Sequence, residues 1–493
     1  MKICFINPAP RSYVIERGHE TSGAYPPLGS LYIIAYLRQQ GHECILLDQH
    51  ATKIPTSRLL EQVKKYDPFV VAFNSLTDIN HGKRSTFIAQ KVKAWNPNVK
   101  IIFGNCHATF NHDRILAKYP FVDVCVRGEG ELTTSELISA FEHNRELTNV
   151  LGITYRDKGN IRVNPDRPLI QDLDQMPFPD RSVLGNIKYF QNYGGLNADY
   201  GKFTSIQSSR GCPYNCTFCC QSHISQRKWR PRSIPKVIEE LHQLESEGYT
   251  NLYWVDDNFT INRKRAIQLF QAMRREKFDF VWVCDQRVDL VTTELLQEMR
   301  RAGCHTLSFG IESANQRILN FFNKGFTPQI ARTATMKAKK VGFDFTMGTF
   351  VVGAPTETLE EIKNTFVFAQ TLGIDFPQFH IYGAIPGTDV WDKLVEEGTI
   401  DPEKYWENGV KTLVLPLEVV EKEMKKAYYQ FITRPRFIFN QLLRTLKSHH
   451  RRKIIQSNLK VLGSPQGMQR FLKFTTTTWT HGDVPDSRQE QKN

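Results

Sequence analysis

Residues 203–220 read FTSIQSSRGCPYNCTFCC, an apolar run followed by a turn that carries four cysteines. The spacing Cys212-x3-Cys216-x2-Cys219 places three thiols on one short loop, directly after a predicted strand. Three thiolates can each bind one iron of a cubane [4Fe-4S] cluster, which leaves the fourth iron open to a small molecule. The loop therefore predicts an iron–sulfur centre.

A zinc site is the alternative for this loop. A closed structural zinc needs a fourth ligand, and Cys220 and His223 are the nearby candidates. Six more cysteines are scattered along the chain, mostly within apolar runs, and these are expected to be buried. The N-terminus carries no secretory signal, so a disulfide framework is not expected.

The chain from Phe203 alternates short apolar runs with helical patterns. The predicted strands are Phe203–Ser208, Leu252–Val255, Phe280–Cys284, Thr306–Gly310, Asp344–Val351 and Gln378–Tyr382. Such an alternation predicts a parallel barrel of six βα units, either incomplete or full. An incomplete barrel would have a lateral opening suited to a large substrate. Functional residues are expected after the carboxyl ends of its strands.

The first 143 residues show a second alternation. The predicted strands are Ile3–Asn7, Glu43–Leu47, Val70–Asn74, Lys100–Gly104 and Asp123–Arg127, with helices starting near Pro27, Ser57, Asn80, Asn111 and Thr134. This order predicts a doubly wound, flavodoxin-like sheet that binds ligands at the carboxyl ends of its strands. Residues 145–200 combine two short strands with turn signals, and they predict a linker with a small hairpin.

Composition excludes several classes of protein. Of the 493 residues, 40% are hydrophobic and 23% charged, which is typical of a globular protein. The sequence contains neither an 18-residue apolar window nor a long apolar signal core, so a cytoplasmic location is expected.

The net charge of +13 comes almost entirely from the C-terminal region. Residues 424–482 hold twelve Lys or Arg and no Asp or Glu. From Phe437 to Ile455 apolar residues recur at helical intervals between the cations, which predicts a basic amphipathic helix. Such a helix can lie on an anionic membrane surface, and this would bring the barrel opening close to it. The alternative is a solvated helix packed on the barrel, and nucleic-acid binding is not favoured.

The cysteine loop, placed after the first strand of a βα barrel, resembles the signature of the radical S-adenosylmethionine (radical SAM) superfamily. The resemblance covers roughly residues 200–400. It implies that Cys212, Cys216 and Cys219 bind a [4Fe-4S] cluster whose open iron is chelated by the amine and carboxylate of S-adenosylmethionine. Reduction would then cleave the sulfonium and yield a 5′-deoxyadenosyl radical.

The resemblance also implies positions that bind S-adenosylmethionine. Phe218 would lie beside the adenine, and Gly353, in the turn Gly353-Ala-Pro355, would lie on its apolar side. Glu312 and Ser313 end the fourth strand and would contact the ribose.

The methionine end of the cofactor has its own implied contacts. Asp256, Asp257 and Asn258 occupy the place of the family's usual Gly-Gly-Glu run and would accept hydrogen bonds from the ammonium. Arg287 would pair with the carboxylate. The alternatives are a surface salt bridge for Arg287 and a simple cap for Asn258.

The N-terminal region resembles the cobalamin-binding domain that precedes the barrel in one class of these enzymes. The motifs are Pro26-Pro27-Leu28-Gly29, Asn74-Ser75-Leu76, Gly104-x-x-His107-x-Thr109 and Gly128-Glu129-Gly130-Glu131. The cobalamin-binding positions implied are Asn74, Ser75, Leu76, Gly104, His107, Gly128 and Glu129. For His107 the alternative is an ordinary polar loop residue.

One motif of histidine-ligated cobalamin domains is missing. Those domains carry D-x-H-x-x-G after the first strand, where this chain reads Asn7-Pro-Ala-Pro-Arg-Ser. The similar Asp48-Gln-His50 follows the second strand and lacks the glycine, so it is interpreted as a chance match. Cobalamin is therefore expected to bind without a protein histidine ligand.

The expected fold class is α/β, with a flavodoxin-like (Rossmann-type) cobalamin-binding domain, a partial (β/α)6 radical SAM barrel and a helical basic C-terminal region. The expected boundaries are 1–144, 145–200 for the linker, 201–400 and 401–493. The resemblance implies a radical enzyme, most commonly a methyltransferase that uses cobalamin to methylate an unactivated carbon, here of a large hydrophobic or lipid-like substrate. It also implies a low-potential electron donor such as ferredoxin or flavodoxin.

Three alternatives stay open at this point. Enzymes of the same architecture perform oxidative cyclisation or carbon–carbon bond formation on tetrapyrroles or membrane lipids. Methylthiotransferases share the barrel but need three further N-terminal cysteines, and Cys4 and Cys44 fall within predicted strands. A non-enzymatic iron–sulfur or corrinoid sensor would not need the charged residues at the strand ends.

Overall fold

The computed structural model describes residues 1–9, 24–74, 79–193, 196–198, 201–404 and 415–462. Two βα units and a set of C-terminal helices make up this part of the chain. No helix in these ranges is both long enough and apolar enough to cross a bilayer.

The N-terminal unit is built on a seven-stranded sheet in the order β2-β1-β3-β4-β5-β6-β7. Its strands are β1 (Lys2–Asn7), β2 (Glu43–Asp48), β3 (Val70–Asn74), β4 (Lys100–Gly104), β5 (Val124–Val126), β6 (Ile153–Asp157) and β7 (Asn160–Val163). The first five are parallel in flavodoxin-like order, as predicted. The hairpin β6–β7 pairs antiparallel with β5, so it extends this sheet instead of lying in a linker.

Six helices of the described residues connect these strands. They are α1 (Leu28–Gln39), α2 (Gln49–Thr52), α3 (Thr56–Tyr66), α4 (Ile79–Trp95), α5 (Asn105–Lys118) and α6 (Gly130–Glu142). Helix α5 begins six residues before the predicted start at Asn111, which instead lies at a kink with φ −132° and ψ 22°. Apolar cores on both faces of the sheet show why its strands read as continuous apolar runs.

Short elements link the two units. Strands β8 (Gln191–Tyr193) and β9 (Leu196–Ala198) form a hairpin. Four single turns of 3-10 helix are also present, at Leu147–Asn149, Leu173–Gln175, Arg181–Leu184 and Val288–Leu290.

The second unit is an open barrel of six parallel strands in the order β10-β13-β14-β15-β16-β17. They are β10 (Lys202–Ile206), β13 (Tyr249–Trp254), β14 (Val281–Arg287), β15 (Cys304–Glu312), β16 (Phe345–Val352) and β17 (Phe376–Ile381). A two-stranded ribbon, β11 (Ser209–Arg210) with β12 (Arg230–Pro231), flanks the cysteine loop. The barrel is thus incomplete, since β10 and β17 are edge strands that do not pair with each other.

Eight helices accompany the barrel strands. They are α7 (Gln221–Ile224), α8 (Ile234–Ser246), α9 (Arg263–Arg275), α10 (Thr293–Arg301), α11 (Gln316–Phe321), α12 (Pro328–Val341), α13 (Leu359–Thr371) and α14 (Asp389–Glu396). Local sequence sets their ends: Thr358 and Glu361 form a capping box on α13, and Gly342 ends α12 with φ +88°. The largest apolar core lies between these helices and the strands.

The C-terminal region consists of α15 (Leu417–Ile432), α16 (Pro435–Lys447) and α17 (His449–Leu462). The prediction of one helix over 437–455 is wrong, because Ser448 leaves the helical conformation at φ −111° and ψ 120°. Its Oγ instead accepts a hydrogen bond from Arg451 N at 3.0 Å and caps α17. Ile454 of α17 packs on Phe345 and Met347 at the amino end of β16, which closes that end of the barrel.

Candidate active site

The cysteine loop begins in a tight turn after the carboxyl end of β10. Gly211 has φ +87°, and a Cβ atom there would lie 2.1 Å from the carbonyl oxygen of Lys228. Asp257, after β13, accepts a hydrogen bond from Gly211 N at 2.7 Å. Thr217 N donates to Phe322 O at 3.2 Å. Glycine is therefore required at position 211, and the loop is pinned from two sides.

The three predicted ligands are neighbours on one loop and influence one another electrostatically. Cys216 is buried and Cys212 and Cys219 are half-buried. Burial raises the pKa of Cys212 and raises that of Cys219 to about 12, and Cys216 adds to both shifts electrostatically. Two donors face the sulfurs: Arg287 Nη1 lies 3.5 Å from Cys216 Sγ, and Asn258 Nδ2 lies 3.9 Å from Cys212 Sγ. Such donors stabilise thiolates, so the loop fits a cluster.

The zinc alternative is not supported. His223 Nε2 lies 2.9 Å from Asp389 Oδ1, and Cys106, together with burial, raises the pKa of Cys220. In the described ranges, no three His, Cys, Asp or Glu side chains converge closely enough for one metal ion. A cubane cluster spreads its ligands over separate irons, so it does not need such convergence.

Two residues after β13 have different roles. Asp256 is buried and accepts three hydrogen bonds from Ser208 and Ser209, at 2.5–2.9 Å. Asn258 is 3% exposed, and its Oδ1 atom has no partner among the described residues. A buried acceptor without a donor is costly. Asn258 is therefore the residue of this run that fits the ammonium of S-adenosylmethionine.

Arg287 forms the salt bridge considered as its alternative, with a buried guanidinium and a partly exposed carboxylate. Its Nε and Nη2 atoms each lie 3.0 Å from a different carboxylate oxygen of Asp289. Nη2 also donates to Lys324 O at 2.6 Å, and the guanidinium lies 3.7 Å from the Tyr214 ring centre. Only Nη1 faces the cysteines, because Nε and Nη2 of Arg287 already donate to Asp289 and to the carbonyl oxygen of Lys324.

The sequence analysis missed Lys324. This buried cation lies between Glu312 and Phe218, with Nζ 2.9 Å from Glu312 Oε1 and 5.5 Å from the ring centre of Phe218. It follows α11 and does not end a strand, so strand-end reasoning could not find it. Glu312 itself has φ +65°, a left-handed conformation that is strained for glutamate. Strain of this kind clusters at functional sites.

Ser313 and Gly353 support neighbouring turns. Ser313 is fully buried, and its Oγ accepts a hydrogen bond from Asn315 N at 3.1 Å. Gly353 has φ +80° and donates its N–H to Glu357 Oε2 at 2.6 Å. Burial raises the pKa of Glu357 to about 7. Ser313 is thus buried within a hydrogen-bond network, and its predicted contact with the ribose stays a prediction.

A cavity of about 330 Å³ lies between the strand ends of the N-terminal sheet and the cysteine loop. Gly29, Gly104 and Gly128 line one wall, while Gly211 and Asp257 line the other. A Cβ atom at Gly29 or Gly128 would meet nothing within 4 Å, and one at Gly104 only a carbonyl oxygen at 4.0 Å. These glycines therefore face open space, as a cradle for a bulky planar cofactor would.

Comparison with known proteins agrees with this geometry. Residues 206–369 match the radical SAM superfamily model, and residues 18–138 match the B12 binding domain model. An uncharacterized methyltransferase of Pyrococcus horikoshii is 36% identical over 456 residues, which cover 91% of this chain and 95% of that protein. This chain belongs to the B12-binding class of the radical SAM superfamily.

Two further relatives of this radical SAM enzyme are informative. The anaerobic magnesium-protoporphyrin IX monomethyl ester cyclase of Rubrivivax gelatinosus is 30% identical over 427 residues, which cover 84% of this chain and 74% of the cyclase. The radical SAM methyltransferase TsrM of Kitasatospora setae, solved with cobalamin and a [4Fe-4S] cluster, superposes with a TM-score of 0.65 at 16% identity. That match covers 80% of this chain and 75% of TsrM, and it shows the shared fold. The enzyme uses a [4Fe-4S] cluster, S-adenosylmethionine and cobalamin.

The cobalamin face of the enzyme carries a chain of side-chain hydrogen bonds across four strand ends. Asn105 donates to Asn74 at 2.6 Å, Asn74 to Asn7 at 3.2 Å, and Asn7 to Asp48 at 3.0 Å. Tyr189 OH donates to the other Asp48 oxygen at 2.9 Å. Asp48 sets the direction of these hydrogen bonds, because a carboxylate can only accept hydrogen bonds. The sequence analysis used Asn74 but missed the chain, since its members lie far apart in sequence.

The other predicted cobalamin positions divide into three groups. Ser75 and Leu76 lie outside the described residues. His107 is buried in α5 and does not line the cavity, and no histidine does so among the described residues. Glu129 lines the cavity but also joins the two units through Arg210 at 3.1 Å and Arg230 at 3.0 Å. Burial opposes ionisation of Glu129, yet these arginines lower its pKa.

Proposed function

We propose that the enzyme methylates an unactivated carbon of a large hydrophobic or lipid-like substrate. The supporting observation is the 330 Å³ cavity, which both units line. Gly128 and Glu129 of the N-terminal unit face Gly211 and Asp257 of the cysteine-loop region across it. A cobalamin in this cradle would lie beside the site of S-adenosylmethionine. A methyl carrier next to a radical source is the arrangement that radical methylation needs.

The bound cofactors would supply a 5′-deoxyadenosyl radical and a methyl group. The chain would do the positioning. Cys212, Cys216 and Cys219 would hold the cluster, and Asn258 Oδ1 would accept a hydrogen bond from the methionine ammonium. Lys324, held by Glu312 at 2.9 Å, would place a cation beside Phe218 and the cofactor. These buried groups would exclude water from the radical.

The barrel opening supports a large hydrophobic substrate. The sheet ends at β10 and β17, which leaves one side open. Phe345, Met347 and Phe376 form an apolar floor with Ile454 of α17. With this floor at the amino end, the substrate would enter from the side or from the carboxyl end of the strands.

Product analysis under anaerobic conditions tests the proposal. The holoenzyme would be reduced with flavodoxin, our proposed class of electron donor, and given S-adenosylmethionine with a deuterated methyl group. We expect a lipid extract to yield S-adenosylhomocysteine, 5′-deoxyadenosine and a product that carries the label. Cys219→Ala is the inactive control. Label found only with a water-soluble extract would contradict the hydrophobic substrate.

Oxidative cyclisation is the second candidate, and the 30% identical cyclase relative favours it. Cyclisation would form 5′-deoxyadenosine without S-adenosylhomocysteine and without methyl label in the product. The same experiment therefore separates the two reactions. A methylthiotransferase is not supported, because Cys4 and Cys44 are buried in cores on different faces of the N-terminal sheet.

A further inference from the structure

Helix α16 (Pro435–Lys447) lies on the protein with its polar side inward. Gln441 Nε2 donates to Asp375 Oδ1 at 2.8 Å, and Arg444 pairs with the same carboxylate. Arg444 Nη2 also donates to the carbonyl oxygens of Phe343 at 2.7 Å and Asp344 at 3.0 Å. Asp375 is 1% exposed; burial opposes its ionisation, but Arg444 and Arg451 hold its pKa below the ordinary value. This face of α16 is therefore firmly anchored.

The opposite side of α16 is apolar and exposed. Ile438, Leu442 and Leu446 follow one another at intervals of four residues, and Phe439 and Leu443 lie beside them. These five side chains, here called the α16 stripe, are 39–72% exposed. Surface helices normally turn their apolar stripe to the core. Helix α16 is instead anchored through its polar side, so its apolar side stays exposed and available to a binding partner.

Cations border the α16 stripe. Arg436 and Lys447 lie on the same helix, and both are exposed. Next to Lys447 is a cavity of about 970 Å³, which Lys339 and Lys453 also line. These three lysines form no ion pair among the described residues, although the arginines of the cavity wall do. The surface thus combines apolar side chains with unpaired positive charge.

We infer that the α16 stripe and its cations dock on an anionic lipid bilayer. The apolar side chains would enter the headgroup boundary, and the lysines would contact lipid phosphates. This surface lies at the amino ends of β16 and β17, whereas the cysteine loop follows the carboxyl end of β10. Docking would therefore hold the amino ends of these strands at the membrane, and that the tail brings the lateral barrel opening close to it stays a prediction.

Vesicle flotation with the full-length holoenzyme tests the inference independently of the reaction. We expect binding to phosphatidylcholine vesicles that contain about one-third phosphatidylglycerol, and little binding to pure phosphatidylcholine. Leu442→Glu/Leu446→Glu should weaken binding at least roughly tenfold, because charged side chains do not enter the headgroup boundary. Arg436→Glu/Lys447→Glu should do the same and should remove most of the salt dependence.

Two matched variants control for charge and folding. Met336→Glu/Val367→Glu adds the same charge at apolar side chains that are 52% and 61% exposed on α12 and α13. Lys64→Glu/Lys65→Glu reverses two exposed lysines on α3. Both should bind like the unaltered enzyme, and all variants should keep their iron content and melting temperature.

Several results would overturn the inference. Equal binding to neutral and anionic vesicles would contradict it. So would a loss of vesicle binding in the control variants equal to that in the stripe variant. A dimer in sedimentation that Leu442→Glu/Leu446→Glu dissociates, without vesicle binding, would assign the stripe to a second copy of the chain. Loss of binding on deletion of residues 463–493, with the stripe variant unaffected, would assign the anchor to that segment.

Discussion

At the scale of single residues, burial governs the thiols of the cysteine loop. Burial raises the pKa of Cys219 to about 12, so metal binding there must displace a proton. The neighbouring Cys220 is directed at Cys106 instead. Adjacent cysteines on one turn thus have different surroundings.

We predict that replacing Cys212, Cys216 and Cys219 together with Ala removes bound iron and sulfide, the broad charge-transfer absorbance and 5′-deoxyadenosine formation. Cys220→Ala should keep all of them, because Cys220 is not among the three predicted ligands. Iron and sulfide analysis of anaerobically purified protein measures this. A triple variant that retains its cluster would show that the ligand assignment is wrong.

His450 is a buried titratable residue between the tail and the barrel. Burial, with a further contribution from His305, lowers its pKa to about 3. An unfolded histidine titrates near pH 6.5, so below this pH the unfolded chain binds a proton that the folded chain excludes. Stability therefore falls as pH decreases from 6.5 towards 3.

We predict that His450 costs about 1 kcal/mol of unfolding free energy between pH 7 and pH 5.5. His450→Gln should remove this part of the pH dependence, whereas the exposed His143→Gln should leave it in place. Urea unfolding at a series of pH values measures the slope. The same slope in the enzyme and in His450→Gln would contradict the prediction.

At the scale of elements, the ends of β1, β2, β3 and the start of α5 act together. The chain from Asn105 through Asn74 and Asn7 to Asp48 crosses these four elements below the cavity. Burial raises the pKa of Asp48 to about 6, so its carboxylate depends on the donors around it. The strand ends present amides where histidine-ligated domains present an imidazole.

We predict that cobalamin binds at these strand ends without a protein nitrogen ligand. Paramagnetic resonance of the Co(II) form should show no axial nitrogen splitting from the protein. Asn74→Leu breaks two hydrogen bonds of the chain and should weaken cobalamin binding roughly tenfold, while Asn98→Leu in an exposed turn should not. Clear nitrogen splitting, with His50 the first residue to replace, would contradict the prediction.

At the scale of the whole molecule, ion pairs join the two units beside the cavity. Glu129 pairs with Arg210 and Arg230, and Glu131 pairs with Arg210 at 2.6 Å. All four side chains are at most 13% exposed. Removing one partner of such a pair leaves a buried charge without compensation.

We predict that Glu129→Gln lowers the unfolding free energy by about 3 kcal/mol and weakens cobalamin binding, because it leaves the buried Arg230 without its carboxylate partner and Arg210 with Glu131 alone. Glu136→Gln is the matched control, since Glu136 is 44% exposed in its pair with Arg167 and should cost less than about 1 kcal/mol. Calorimetry and cobalamin titration measure both effects. Equal costs in the two variants would show that the interface does not depend on Glu129.

The sequence by itself determined the chemistry and the fold class. The spacing of Cys212, Cys216 and Cys219 is local, and so are the apolar periods that predict each strand and helix. Their order along the chain then restricts the topology, because parallel βα units join with one handedness. The flavodoxin-like sheet and the open barrel are accordingly predictable from the sequence, and the resemblance to the radical SAM superfamily implies the cofactors.

Only the tertiary structure decided which side chains meet. Lys324 reaches Glu312 from a different loop, and Asn105 reaches Asp48 through two other strand ends. The outward stripe of α16 follows from one buried carboxylate, Asp375, which attracts the polar side of the helix. Amphipathic spacing predicts that a helix has an apolar side. Which side faces the protein depends on long-range partners that no local pattern records.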